Sequence, residues 1–125
     1  MSPALNFQAR FAPIVESGEK RQTIRAYRKD GRDPKVGDTL YLYTGQRTKR
    51  CRKLGEARCR SVQPIQIRVG NIALPGKRGG STSRQCHAIA RADGFSDWSA
   101  MTRWFSRTHG LPFKGLLIRW ELTDG

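Results

Sequence analysis

The chain has 125 residues, with 24 Lys and Arg against 10 Asp and Glu and a net charge of +14, enough sequence for one domain and too little for two. Hydrophobic residues make up 37% and include three Trp, three Tyr and five Phe, which excludes a disordered basic tail. No run approaches the roughly 18 apolar residues of a membrane span, and residues 1–6 lack the basic and apolar regions of a signal peptide, so a cytoplasmic protein with no membrane partner is expected.

Leu5-Asn6-Phe7 predicts a short opening strand. Phe11, Pro13, Ile14 and Val15, spaced by threes and fours before Gly18, predict a short helix that ends at that glycine. Thr23-Ile24-Arg25 favours a strand, and residues 29–34 form a polar connection rich in turn formers. Leu40 and Leu42 alternate with Tyr41 and Tyr43, the signature of a strand. Its leucines face a core, and its tyrosines either pack under a neighbour or offer rings for base stacking. Residues 57–69 predict a strand pair, or a strand broken at Pro64, and Ile72-Ala73-Leu74 a short further strand.

A short helix over 85–92 is stopped by Asp93-Gly94. A longer one follows, capped by Ser96, with Trp98, Met101 and Phe105 at helical spacing and an end at His109-Gly110 before Pro112. Residues 115–122 close the chain as a strand, with Leu116, Ile118, Trp120 and Leu122 on one face and Leu117, Arg119 and Glu121 on the other. Trp98, Trp104 and Trp120 read as core anchors. With no internal repeat, residues 1–125 are expected to form one α+β domain, a small bent β-barrel with a few short flanking helices.

The charge is concentrated. Residues 47–84 hold eleven basic side chains and one acidic one, against eight and five in 1–46 and five and four in 85–125. Arg47, Lys49, Arg50, Arg52, Lys53, Arg58 and Arg60 face only Glu56, and Lys77, Arg78 and Arg84 lie in a Gly/Ser-rich stretch. Such density calls for a polyanion, and RNA or another nucleic acid is the default partner because phosphate contacts release counterions. Cys51, Cys59 and Cys86 show no paired spacing and read as reduced thiols; no metal or cofactor motif is found.

Gly18-Glu19-Lys20-Arg21-Gln22-Thr23-Ile24-Arg25 fits the pattern GxKxxxxR. Around it stand a preceding short helix, Val36-Gly37-Asp38 before an apolar strand, Asp93-Gly94-Phe95 before the late helix and a last strand ending Ile118-Arg119-Trp120. In this order, over almost its whole length, the chain resembles the ASCH domain family. The resemblance implies a PUA-like β-barrel with a cleft between barrel and helices that holds the motif residues. It also implies binding of RNA or a modified nucleoside, in processes such as translation. Against the smallest members, the basic Gly-rich region at about 47–84 looks like an insertion or extended loops beside the cleft. Some small bacterial members deacetylate N4-acetylcytidine with a Lys, a Thr three residues later and a Glu before the late helix, and another is described as a ribonuclease. Lys20 and Thr23 match the first two positions. The third falls on Asp93, whose shorter side chain draws the carboxyl back by about 1 Å, a displacement that costs on the order of a hundredfold in rate.

The residues themselves leave two readings open. Lys20, Arg21 and Arg25 bind phosphate while Thr23 hydrogen-bonds a sugar or base and Asp93 caps a helix. Alternatively, a Lys20 amine with a lowered pKa deprotonates the Thr23 hydroxyl for attack, and Asp93 protonates or orients the leaving amine.

Overall fold

Period-two burial builds the strands. In β3 (Thr39–Thr44), Leu40 and Leu42 are fully buried while Tyr41 and Tyr43 are half-buried on the opposite face. The computed structural model describes residues 3–76 and 79–123, so Lys77 and Arg78 lie outside the described residues. Ahead of β3 come β1 (Ala4–Phe7), a 3-10 turn (Ala9–Phe11), α1 (Ala12–Ser17) and β2 (Gln22–Arg25). After it come β4 (Arg52–Ile67), β5 (Ile72–Ala73), α2 (Ser83–Ala92), α3 (Trp98–Thr108) and β6 (Phe113–Leu122). The strands form one mixed sheet in the order β1-β3-β4-β6-β2, with β5 beside the end of β4. Only β1 and β3 run parallel. Sheet and helices together make an α+β arrangement. No helix among the described residues is long and apolar enough to cross a membrane.

The expected barrel does not close. β1 and β2 are the two ends of the strand path, and arginine side chains stand where a ladder would. Arg25 Nη2 donates to Asn6 O at 2.7 Å and Arg28 Nη2 to Ala4 O at 2.8 Å. Side chains thus take up the outward carbonyls of β1 in place of strand hydrogen bonds.

Nor is the basic region only a set of extended loops. Its longest part is β4, a single 16-residue strand that pairs with six residues of β3 and ten of β6. Leu54, Ala57 and Cys59 point into the core while Arg52, Lys53, Arg58 and Arg60 are exposed. Two register shifts, opposite Leu42/Tyr43 and between Cys59 and Ser61, break the plain alternation and give the strand its bend. Pro64 does not interrupt it. β3 pairs only as far as Arg58 and β5 begins at Gln66, so residue 64 has a strand neighbour on the β6 side alone, an edge position that tolerates proline.

Two cores lie on opposite faces of this sheet. Leu5, Leu40, Leu42, Leu54, Ile118 and Trp120 pack with α1 on one side. Ile65, Ile67 and Leu117 pack with Ile89 of α2 and Met101 and Phe105 of α3 on the other. β6 is therefore apolar on both faces at its middle: Leu117 is as buried as Ile118, whereas Leu122, expected inside, is 37% exposed. Trp120 is the buried tryptophan, and Trp98 and Trp104 are half-buried at the margin of the second core. The α3 cap is Asp97 rather than Ser96, with Asp97 Oδ1 accepting from Ala100 N at 2.7 Å. Thr82 and Gln85 form a capping box that starts α2. Cys51 is exposed, Cys59 and Cys86 are buried, and all three are free.

Gly115 sets how closely β6 approaches β2. A Cβ there would overlap the Arg25 carbonyl oxygen and fall 2.8 Å from the Phe113 ring. Gly115→Ala is expected to destabilise the fold by about 1–3 kcal/mol through overpacking. A urea midpoint equal to wild type would contradict this close approach.

Candidate functional site

The motif lies where α1 hands over to β2. Gly18 ends α1, Lys20 N donates to Ile14 O at 2.9 Å, and β2 then runs antiparallel to β6 with Thr23 opposite Ile118 and Arg25 opposite Leu116. Residues along β2 alternate faces. Gln22 points toward α2, with Nε2 donating to Ile89 O at 3.0 Å. Thr23 and Arg25 face a cavity of about 270 Å³ between the edges of the sheet and the ends of the helices.

Lys20 and Asp93 are both buried, 3% and 6% exposed. Lys20 Nζ lies 3.4 Å from Asp93 Oδ1 and donates to the Asp93 backbone carbonyl. Gln22 Nε2 donates to the same Oδ1 at 3.3 Å. Asp93 follows the last turn of α2, and Gly94 after it has a left-handed φ of +101° with the Phe11 ring 2.8 Å from where a Cβ would stand. Only glycine suits that position. It lets Phe11 close over the buried pair, with the ring centre 5.2 Å from Lys20 Nζ.

Burial pulls the Lys20 ammonium down to about 8, against the pull of Asp93 in the other direction, and the nearby Arg25 and Arg10 charges lower it further. Burial likewise pushes the Asp93 carboxyl up, opposed first by Lys20 and then by Gln22. Arg25 is a bridge: its Nε donates to Thr23 Oγ1 at 3.0 Å, its Nη2 reaches Asn6 O, and its guanidinium lies 4.8 Å from the Phe7 ring centre.

Lys20, Thr23, Arg25 and Asp93 thus line one cavity, but they form two pairs. Among the described residues no hydrogen bond joins Thr23 to Lys20; the threonine oxygen is held by Arg25. Arg21 turns away, exposed, with Nε donating to Gly18 O at 2.7 Å. The basic residues separate too. Arg47, Lys49 and Arg50 sit in the turn between β3 and β4, tied to the cavity wall by Asn6, whose Oδ1 accepts from Gln46 N at 2.9 Å. Arg52 pairs with Glu16 at 2.7 Å, Lys53 with Glu56 at 3.3 Å and Arg60 with Glu121 at 2.7 Å. Arg58 and Arg84 are exposed, and Tyr41 has Lys53 Nζ 5.1 Å from its ring centre.

Sequence reasoning missed the walls. Phe7, Phe11, Phe95, Trp104, Phe105 and His109 give the cavity an aromatic lining drawn from four separate elements and loops. His109 stacks on Phe105 with ring centres 5.8 Å apart. Aromatic spacing along α3 signals a core, and nothing local marks which rings border a cavity. A planar, hydrogen-bonding ring fits such a space: aromatic faces on the sides, a hydroxyl and a guanidinium at one wall, an amine and a carboxylate at the floor.

A mixed, bent sheet with this order of helices is an ASCH-like fold. The ASCH domain structure from Lactobacillus crispatus JV V101 is similar over 97% of this chain and 79% of its own length, with a TM-score of 0.59 and 18% identity. The crystal structure of hypothetical protein PH0355 is similar over 98% of this chain and 100% of its own, with a TM-score of 0.61 and 12% identity. In sequence, the chain matches no protein-family model and no curated protein.

Lys20 is expected to titrate near pH 8 in a ¹³C NMR titration of labelled lysines. Asp93→Asn removes the two influences that hold its proton and moves it lower; Arg25→Gln removes a repelling charge and moves it up. Between about 8 and the ordinary 10.5, the unfolded chain holds the Lys20 proton and the folded one does not, so this group makes stability rise with pH across that window. A Lys20 that titrates with the surface lysines would overturn the assignment.

Proposed function

We propose that the chain is a cytoplasmic ASCH domain that binds RNA or another nucleic acid by taking a base or nucleotide into the cavity and holding the adjoining phosphates on basic residues. The observation that carries this reading is the single cavity that joins Lys20, Thr23, Arg25 and Asp93 to aromatic walls, next to a turn bearing Arg47, Lys49 and Arg50. None of these three turn cations has an ion pair among the described residues. Phosphates thus have free partners at the turn, while Arg52, Lys53 and Arg60 are partly spent on carboxylates. Arg58 and Arg84, with Tyr41 and Tyr43, offer further contact on the surface beyond the cavity, and Lys77 and Arg78 lie outside the described residues.

Single-stranded RNA binding measured across salt concentrations tests this. Replacing Arg47, Lys49 and Arg50 together with alanine should lower the magnitude of the log–log salt slope by about 2, at about 0.7 for each phosphate no longer neutralised. Arg25→Gln should weaken binding by removing a cavity contact. Affinity too weak to measure at low salt, or unchanged in the triple variant, would sink the reading.

A second reading, hydrolysis of N4-acetylcytidine or of RNA, is favoured by one observation: a buried lysine with a pKa of about 8 in the same cavity as a buried threonine hydroxyl. For acetylcytidine, a neutral Lys20 takes the Thr23 proton, the oxygen attacks the acetyl carbon, and the C–N bond breaks as the Lys20 ammonium returns that proton to the cytidine amine, which Asp93 orients. Water then releases acetate from Thr23. The Arg25 Nε–H on Thr23 Oγ1 stabilises negative charge as it develops there. If this chemistry operates, kcat/KM for N4-acetylcytidine rises with pH up to about 8, and Lys20→Ala and Thr23→Val abolish it. No turnover of either substrate, or equal turnover in Lys20→Ala, ends the catalytic reading.

A further inference from the structure

We propose that Tyr27 is a stacking platform for a second base, so that the protein's ligand is a single-stranded nucleic acid of at least two nucleotides. This inference rests on the proposed occupation of the cavity by the first base. Along the chain, Thr23, Arg25 and Ala26 line the cavity, and the next residue, Tyr27, lines a separate groove of about 280 Å³ with Pro64, Ile65, Leu74, Pro75 and Lys114. The Cα atoms of Arg25 and Tyr27 can be no more than about 7 Å apart. The two sites therefore adjoin along one stretch of backbone, with the Arg25 guanidinium at the cavity side of the junction.

Three features of the groove suit a base. Tyr27 is 51% exposed and is the only exposed Phe, Tyr or Trp among the described residues, an arrangement that leaves its ring free for a partner. Its other lining is mostly apolar, with no carboxylate. Lys114 is exposed at the same groove and has no ion pair among the described residues, which leaves it free for a phosphate. The platform is also held in place. Residues on both sides of it are anchored: Arg25 to Thr23 and Asn6, and Arg28 through its side chain to Ala4 O and through its backbone N to Asp33 Oδ1 at 2.8 Å. A backbone fixed in advance at the platform leaves only side-chain freedom to be lost on stacking.

The test compares cytidine 5′-monophosphate with the dinucleotide CpC and with a dinucleotide whose second residue is abasic, by calorimetry at one fixed salt concentration. Wild-type protein should gain about 5- to 150-fold from the second base, measured as CpC against the abasic dinucleotide. Tyr27→Phe keeps that gain, and Tyr27→Ala loses it while monophosphate binding stays as in wild type. The proposal is overturned if CpC and the abasic dinucleotide bind alike, or if Tyr27→Ala retains the gain. A groove that takes an apolar peptide and gives no gain from a second base also overturns it. Monophosphate binding that depends on Arg25 while Tyr27 has no effect removes the platform alone; no binding of any of the three probes removes the cavity reading with it.

Discussion

Both cores hang on one strand pairing. β6 lies against β4 over ten residues, and its side chains alternate between the core under α1 and the core under α2 and α3. A strand buried on both faces has to be apolar at successive positions, which is why Leu116, Leu117 and Ile118 stand together. β2 is carried on the outer side of β6, so whatever fixes β6 also fixes Thr23 and Arg25. The cavity is thus a product of the sheet's main seam, although no residue of that seam lines it.

The ion pair at the cavity floor serves placement more than stability. At 3.4 Å, two unit charges attract by about 5 kcal/mol at an effective dielectric near 20, and removing each ion from water costs several kcal/mol. The two quantities are of the same order. What the pair does is join the end of α2 to the entry of β2 by a contact that a shifted register could not satisfy. Gln22 adds a second tie between the same two elements. Elsewhere charge works differently: the exposed pairs of Arg52, Lys53 and Arg60 are screened surface contacts.

Local patterns were legible where one face is wet and the other buried. β3 with its alternating Leu and Tyr, and α3 with Trp98, Met101 and Phe105, follow directly from their periods. In β4 the strand character of residues 57–67 was legible, but its basic start at Arg52 resembles a loop, and its two register shifts and Pro64 hide that it is one continuous strand. The failure of the sheet to close is a long-range matter: guanidinium groups of residues 25 and 28, not a strand ladder, reach the carbonyls of β1. At the site, Lys20, Thr23, Arg25 and Asp93 could be picked from a motif and its setting. Their division into two hydrogen-bonded pairs, the outward turn of Arg21 and the aromatic walls depend on packing between elements far apart in sequence, which no spacing rule encodes.

The unclosed seam has a bearing on solubility. A short strand at the rim of a sheet presents free carbonyls on which another chain can template a new strand. In β1 the carbonyls of Ala4 and Asn6 are already held by the cations of Arg28 and Arg25, and an incoming strand must displace both before it can pair. Two arginines therefore guard this rim against edge-to-edge self-association, a protection other sheets obtain from proline or a charged edge residue. The same side chains that bridge the open end of the sheet thus oppose its becoming part of a larger one.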